Sequence, residues 1–157
     1  MIKFIITGLP RSGTTWLSVF LSTDDCLCLH DPYGTHTPEE LGQWEGGVCD
    51  TALWYYADWC RVHTDKFIII DRKVEEVNSS LINLDIVQVP EEFTNIFNNT
   101  DSNKRIYFED LFTEEIAEEL WNYIYPEKPF NVIRWKMLKD IHMEPTEDIL
   151  SKYRQGE

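Results

Sequence analysis

A glycine-rich loop close to the amino terminus constrains the fold of this chain more than any other feature. Residues 7–17, TGLPRSGTTWL, follow the apolar run IKFII at residues 2–6. The apolar run predicts a buried strand, and the apolar positions after Gly13 predict a helix. Gly8 and Gly13 permit tight or positive-φ backbone, and Pro10 stiffens the turn. A strand, a glycine-rich turn and a helix N-terminus in this order favour the binding of an anion.

The rest of the chain alternates apolar runs with amphipathic stretches. This order predicts an α/β fold, a three-layer sandwich with helices on both faces of a mainly parallel sheet. Further strands are predicted at residues 26–30, 66–71 and 104–111, with an edge strand at 130–135. Helices are predicted near Pro38 and over residues 50–63, 74–84, 113–125 and 145–155. The stretch 84–103 has the weakest pattern, and we expect an exposed loop there.

Polar residues mark the starts of three predicted helices. Asp50 and Thr146 each precede a segment of helical periodicity, as N-cap residues do. Thr113 and the glutamates that follow it predict a capping box at the start of the helix over residues 113–125.

The charge balance narrows the choice of partners. The chain has 14 Lys and Arg against 28 Asp and Glu, a net charge of −14. This charge argues against nucleic acid or an acidic membrane as a partner, and a phosphate ligand needs local basic residues. The length suits a single domain over residues 1–157, and no apolar run approaches the ~20 residues of a membrane span.

The cysteines favour a cytoplasmic protein with reduced thiols. Cys26, Cys28 and His30 share one face of a predicted strand, and Cys49 and Cys60 follow later in the chain. This alignment raises a zinc site as an alternative. The spacing departs from the C-x₂₋₄-C pattern, however, and small cysteines suit a packed parallel strand, so we expect no metal.

The glycine-rich loop lacks the lysine of a nucleotide-hydrolysing loop. The pattern GxxxxGK[ST] places lysine directly after the second glycine, and here that position is Thr14. Thr14 and Thr15 offer hydroxyls, and Arg11 is the loop's sole cation. Such a loop suits a ligand with one 5′-phosphate and a group transferred from it, with Arg11 stabilising the leaving oxygens.

The string GLPRSGTTWL resembles the 5′-phosphosulfate-binding loop of sulfotransferases, which use 3′-phosphoadenosine 5′-phosphosulfate (PAPS). Its PRSGTT portion is similar to the tyrosylprotein and bacterial branches of that family. The resemblance implies a P-loop NTPase-like fold and implies that Trp16 packs on the adenine. The residues that it implies for binding the 5′-phosphosulfate are Pro10, Arg11, Ser12, Gly13, Thr14 and Thr15.

Two later strings strengthen the resemblance. In FIIIDRKVEEVNSSL, Arg72 ends a predicted strand and Ser80 follows eight residues later, as do the Arg and Ser that grip the 3′-phosphate in the family. Val74 stands where the family often has proline. The string RIYFEDL is similar to the family's YEDL strand end, which implies that Phe108 lies near the adenine.

Three residues are candidates for the base that sulfuryl transfer to a hydroxyl requires. Histidine is a residue type suited to accepting a proton at neutral pH, which makes His30 a candidate. Asp31 lies 20 residues after Arg11, where heparan- and tyrosylprotein-type members keep a glutamate. Asp50 lies where cytosolic members keep a histidine at a strand end. The alternative is that His30 and Asp50 are structural, and the sequence leaves this choice open.

An aromatic-rich segment follows these candidates. Its large aromatic side chains are Trp44, Trp54, Tyr55, Tyr56 and Trp59. Some must pack in the core, and others suit an acceptor pocket for a sugar or a phenol. The acidic balance argues against a polyanionic acceptor.

These features lead to one hypothesis and two alternatives. The hypothesis is a small PAPS-dependent sulfotransferase that transfers a sulfuryl group to a hydroxyl or amine of a small-molecule acceptor, with adenosine 3′,5′-bisphosphate as product. The first alternative is a P-loop nucleotide or small-molecule kinase. The second is a catalytically inactive nucleotide-binding protein of the same fold.

Overall fold

A single parallel sheet forms the centre of the molecule, in a computed structural model that describes residues 1–141. The strands are β1 (Phe4–Gly8), β2 (Cys28–His30), β3 (Gly47–Asp50), β4 (Phe67–Asp71) and β5 (Lys104–Tyr107). Their order across the sheet is β2-β3-β1-β4-β5, and every pairing is parallel. The α/β prediction is confirmed.

Seven α-helices surround this sheet in the described residues. They are α1 (Thr14–Leu21), α2 (Pro38–Gly42), α3 (Ala57–His63), α4 (Val74–Asn83), α5 (Glu91–Asn98), α6 (Glu114–Ile124) and α7 (Val132–Leu138). Short 3-10 turns lie at Pro32–Gly34, Leu53–Tyr56 and Asp110–Phe112. Within residues 1–141 none of the helices combines the length and apolar character needed to cross a membrane.

The two faces of the sheet bury two separate cores. Successive side chains of a strand point to opposite faces, so Phe4 and Ile6 of β1 pack with α1, α6 and α7. Ile5, between them, packs with α2, α3, α4 and α5. β4 alternates in the same way, with Ile68 and Ile70 on the first face. Helices therefore cover both faces, which gives the three-layer arrangement that the sequence predicts.

The connections place a crevice at the centre of the sheet. The chain leaves β1 through α1 towards β2 at one edge, and leaves β4 through α4 and α5 towards β5 at the other. Neighbouring parallel strands whose connections diverge in this way leave a crevice beyond their carboxyl ends, where α/β proteins bind ligands.

Two local predictions are wrong. The segment 130–135 is not an edge strand, because α7 begins within it at Val132. Asn131 Oδ1 caps this helix by accepting a hydrogen bond from the Arg134 N–H at 3.0 Å, and Trp135 is buried in the first core. The stretch 84–103 contains α5, because Phe93 and Phe97, four residues apart, both pack on Trp54.

The predicted helix starts have different outcomes. Thr113 is the N-cap residue of α6, as predicted. The predicted capping box is wrong, because the Thr113 hydroxyl donates to the Asp110 carbonyl at 2.7 Å and forms no side-chain cap. The helix predicted over residues 50–63 is divided: Asp50 ends β3, and a 3-10 turn precedes α3. The predicted helix over residues 145–155 and its cap, Thr146, lie outside the described residues.

Candidate functional site: a cavity at the carboxyl edge of the sheet

A cavity of about 1340 Å³ opens at the carboxyl edge of the sheet. Residues at the carboxyl end of each of the five strands, or just after it, line it: Pro10, His30, Thr51, Arg72 and Phe108. The volume exceeds the ~300–1,000 Å³ of typical ligand pockets. The cavity therefore has room for a nucleotide and a second small molecule together.

The glycine-rich loop supplies one wall of this cavity. Arg11 has φ 67° and Gly13 has φ 78°, so the chain turns sharply into α1. Gly13 is the N-cap of α1 and has no side chain to cap it, and the first turn holds no acidic residue. The first N–H groups of a helix lack intrahelical partners and favour an anion. The loop therefore presents an uncapped helix N-terminus beside the cavity.

Two glycines are required by close packing in this wall. A Cβ on Gly8 would lie 2.8 Å from the Ile70 carbonyl oxygen and 3.0 Å from Ser12 Cβ. A Cβ on Gly13 would lie 3.2 Å from Phe108 Cε2. At these two positions the loop packs closely against β4 and the end of β5. Any residue larger than glycine would force the neighbouring atoms to move.

The Ser12 side chain is an unusual part of the loop. It is completely buried, and among the described residues its Oγ has no hydrogen-bond partner. A buried hydroxyl without a partner costs about 1–3 kcal/mol. Such a cost inside a tight loop is typical of a binding site.

Arg72 and Ser80, which the family resemblance assigns to a 3′-phosphate, both lie against the loop at Arg11. Arg11 Nε donates to Ser80 Oγ at 3.0 Å, and Arg72 Nη1 donates to the Arg11 carbonyl oxygen. The Arg72 guanidinium lies over the Phe108 ring, 4.2 Å from its centroid, and Arg72 Nε is 3.6 Å from Glu76 Oε2. Two cations, a hydroxyl and an aromatic ring thus converge on one part of the cavity.

His30 and Asp31 lie side by side at the end of β2 and line the cavity. His30 Nε2 is 2.9 Å from Thr15 Oγ1 and 3.3 Å from Asp31 Oδ2. Asp31 Oδ1 accepts hydrogen bonds from the Thr51 N–H at 2.9 Å and the Thr51 hydroxyl at 3.2 Å. This network holds the imidazole beside the first turn of α1. At that place the imidazole faces the cavity and can accept a proton from a molecule bound there.

Asp50 occupies a different environment from these two. It is 1% exposed, and its carboxylate accepts hydrogen bonds from the backbone N–H groups of Ala52, Leu53 and Tyr33 at 2.7, 3.2 and 2.9 Å. Burial raises the pKa of this carboxyl despite those bonds. The geometry argues against the prediction of Asp50 as the base and favours a structural role at the start of the 3-10 turn.

Trp16 is placed in the first core rather than in the open cavity. Only 3% of it is exposed, its ring stacks on Phe20 at 4.9 Å between centroids, and its indole N–H donates to the Leu138 carbonyl at 2.8 Å. One edge reaches the cavity. This burial favours a packing role over the predicted stacking on an adenine.

The aromatic-rich segment divides between the two roles that the sequence left open. Trp54, Tyr55 and Tyr56 line the cavity. Trp44 and Trp59 pack against the second core, Trp59 with its ring 4.2 Å from that of His63.

The sequence reasoning missed several residues that line the cavity: Tyr33, Thr51, Lys139 and most of the segment 84–90. Thr51 directly follows Asp50, and Tyr33 lies two residues after Asp31, both of which the sequence did single out. Lys139 follows α7, 67 positions after Arg72 in the chain, and no local pattern connects it with the loop.

The cysteines are buried and unpaired. Cys28 Sγ and Cys49 Sγ, on neighbouring strands, are 3.4 Å apart. Burial raises the pKa of the Cys49 thiol, and raises that of Cys60 to about 12. His30, on the same strand as Cys28, is turned towards Thr15. Across residues 1–141 no three histidine, cysteine or acidic side chains are grouped to hold a metal ion.

Comparison of the chain with protein-family models, with curated proteins and with solved structures finds no match. The arrangement of the cavity is therefore the basis for inferring a function.

Proposed function

We propose that the chain is a small sulfotransferase that moves a sulfuryl group from PAPS to a hydroxyl or amine of a small acceptor, on a P-loop NTPase-like fold. One observation supports this most strongly. Arg72 and Ser80, far from the loop in sequence, both bond to Arg11 in a loop that has Thr14 in place of lysine.

The residues present fit a nucleotide with one 5′-phosphate arm. The α1 N-terminus is uncapped and free of acidic residues in its first turn, and its N–H groups and hydroxyls suit a single anionic group. In the P-loop pattern a lysine reaches the β- and γ-phosphates of a triphosphate, and this loop has Thr14 in its place. A second anionic group, such as a 3′-phosphate, suits the part of the cavity that Arg72 and Ser80 line on either side of Arg11, because arginine binds phosphate with directional hydrogen bonds.

The side chains at the cavity divide the chemistry between them. PAPS, when bound, supplies an activated sulfuryl group. The S–O bond that joins this group to the 5′-phosphate breaks on transfer. Arg11 and the α1 N-terminus stabilise negative charge on the leaving phosphate oxygens. Arg72 and Ser80 hold the 3′-phosphate and thereby orient the donor.

His30 is the base in this proposal. Its ring lies at the cavity beside Thr15 and Asp31, and a neutral imidazole accepts the acceptor's proton as the new bond forms. The Asp31 carboxylate, held by Thr51, stabilises the imidazolium that results. Asp31 is thus a positioning residue for His30.

A ligand-binding experiment tests the proposal directly. Adenosine 3′,5′-bisphosphate, added to the protein at 100 times its Kd, stabilises the folded state by about 2.7 kcal/mol, and thermal unfolding measures the shift. Transfer from labelled PAPS to a set of hydroxyl and amine acceptors measures the activity. Stabilisation by ATP with magnesium and none by adenosine 3′,5′-bisphosphate would favour a kinase and refute the proposal. Binding without transfer to any acceptor would favour an inactive nucleotide-binding protein.

A further inference from the structure

A wall of uncharged side chains lines the cavity away from the arginines. It consists of Tyr33, Trp54, Tyr55, Tyr56 and Phe93 together with the aliphatic residues of the segment 84–90. We call these residues the apolar wall. The rings form one connected cluster, with centroids 4.8 Å apart for Tyr33 and Tyr56, 5.4 Å for Tyr55 and Tyr56, and 5.8 Å for Tyr55 and Phe93.

The apolar wall begins beside the His30–Asp31 pair. Tyr33 is two residues after Asp31 in the chain, and its N–H is fixed by Asp50 Oδ2 at 2.9 Å. Thr51, which bonds Asp31, is three residues before Trp54. The Tyr33 end of the apolar wall and the imidazole therefore face the same cavity close to each other, so a molecule on that end can reach His30.

Parts of the apolar wall are exposed although they are large and apolar. Tyr55 is 50% exposed, Tyr56 40% and Val87 86%. Exposed apolar area of this kind in a concave site is typical of ligand-binding surfaces. An apolar molecule that covers it gains about 25 cal/mol for each Å² removed from water.

The polar groups of the apolar wall are few and partly in use. The Trp54 indole N–H donates to the Thr51 carbonyl at 3.0 Å. Tyr56 raises the pKa of the neighbouring Tyr33, chiefly through a hydrogen bond between their side chains. A sugar has a hydroxyl on nearly every carbon, and each one that loses water here needs a partner. A flat aromatic ring has no such need and packs on aromatic faces.

We propose that the apolar wall is the acceptor subsite and that it takes a flat, uncharged aromatic compound with a hydroxyl, a phenol rather than a sugar. This inference rests on the proposed sulfotransferase function. In the transfer the phenol's proton goes to His30, an oxygen–sulfur bond forms, and the bond from sulfur to the 5′-phosphate oxygen breaks. The products are an aryl sulfate and adenosine 3′,5′-bisphosphate.

Isothermal titration calorimetry with the full chain tests this inference. The protein is first saturated with adenosine 3′,5′-bisphosphate and then titrated with 2-naphthol or N-acetylglucosamine. We expect 2-naphthol to bind at least about 10-fold more tightly than the sugar, because the wall favours apolar contact. Val87→Asp, which adds a carboxylate to the wall, should weaken 2-naphthol at least about 10-fold. Val62→Asp is the matched control, since Val62 is 75% exposed on α3.

The outcomes separate this inference from the proposed function. Binding of the bisphosphate together with tighter binding of the sugar, or with no binding of 2-naphthol, would overturn the phenol subsite alone. Equal effects of Val87→Asp and Val62→Asp would also overturn it, because the wall would then not be the binding surface. If the bisphosphate itself does not bind, the proposed function fails and the acceptor subsite fails with it.

Discussion

Replacing Gly13 by alanine tests the geometry of the loop more sharply than any other single change. Gly13 has φ 78°, a left-handed conformation that costs an L-residue roughly 1–2 kcal/mol. The added Cβ would also lie 3.2 Å from Phe108 Cε2, so the ring must move. We expect Gly13→Ala to lower the free energy of unfolding by about 1–3 kcal/mol once this strain is included.

Thermal and urea unfolding measure this loss, and the structure offers a matched control. For a chain of this size, 1 kcal/mol lowers Tm by roughly 2–4 °C. Gly34 has nothing within 4 Å of an added Cβ and no positive φ, so Gly34→Ala should stay within about 0.5 kcal/mol of wild type. If Gly13→Ala behaved like Gly34→Ala, the left-handed loop and its contact with Phe108 would be refuted.

The same substitution should affect ligand binding. Phe108 supports the Arg72 guanidinium from 4.2 Å, so a displaced ring misplaces the group that we assign to the 3′-phosphate. Gly13→Ala should therefore weaken adenosine 3′,5′-bisphosphate beyond any effect on stability, as calorimetry at a temperature well below Tm would show. Unchanged affinity in a destabilised variant would separate Phe108 from the binding site.

Three further predictions follow from other parts of the structure. Phe97→Ala should cost about 3–5 kcal/mol in urea unfolding, since Phe97 is fully buried, whereas a small effect would contradict the docking of α5. Lys128→Ala should raise the pKa of Asp25 from about 2 towards 3.8, the ordinary value, because a hydrogen bond from Lys128 is the main cause of its lowering. That ion pair stabilises the fold above pH 3.8, and its contribution is lost as the pH falls towards 2. An NMR titration of the Asp25 carboxyl measures this pKa, and the same pKa in wild type and in Lys128→Ala would show that the pair is absent. His30→Gln should reduce transfer from PAPS by about 10²–10⁴-fold and leave bisphosphate affinity within about 2-fold, and full activity would exclude His30 as the base.

Sequence patterns identified β1 and β4, in the middle of the sheet, because those two strands are continuous apolar runs. Residues FIII of β4 are buried, and a strand that is covered on both faces has a continuous apolar sequence that is easily recognised. The strand β3 is only four residues long, and its last residue, Asp50, is of a type that is common at helix N-caps. The periodic pattern therefore predicted a helix start there, and only the family resemblance placed a strand end at Asp50.

Helix α5 was not predicted for a different reason, namely that its local sequence pattern is weak. Its sequence is polar apart from residues such as Phe93 and Phe97, and its stability comes from packing those rings on Trp54. Tertiary packing of this kind decides weakly patterned segments. The wrong edge strand at residues 130–135 has the same cause, because the position of Trp135 against α1 is not visible in local sequence.

The residues of the site likewise fall into those that sequence motifs predict and those that only tertiary packing brings to the cavity. Arg11 was predicted from the loop motif, and Arg72 and Ser80 from the family resemblance; in the structure both Arg72 and Ser80 contact Arg11. The role of Arg72 and Ser80 in binding a 3′-phosphate, and that of Arg11 in binding the 5′-phosphosulfate, stay predictions. Lys139 and the segment 84–90 reach the cavity only through the packing of distant elements, and no motif contains them.

Calorimetric affinities for adenosine 3′,5′-bisphosphate and adenosine 5′-monophosphate test the central claim most directly, because the two ligands differ only in the 3′-phosphate. A charge-assisted hydrogen bond contributes about 1.5–3 kcal/mol, so wild type should prefer the bisphosphate by about 10- to 100-fold. Arg72→Ala should remove most of this preference while the monophosphate affinity stays unchanged, and the exposed Arg61→Ala should keep it. Equal affinity of wild type for the two ligands, or a preference that survives Arg72→Ala, would contradict recognition of a 3′-phosphate by Arg72.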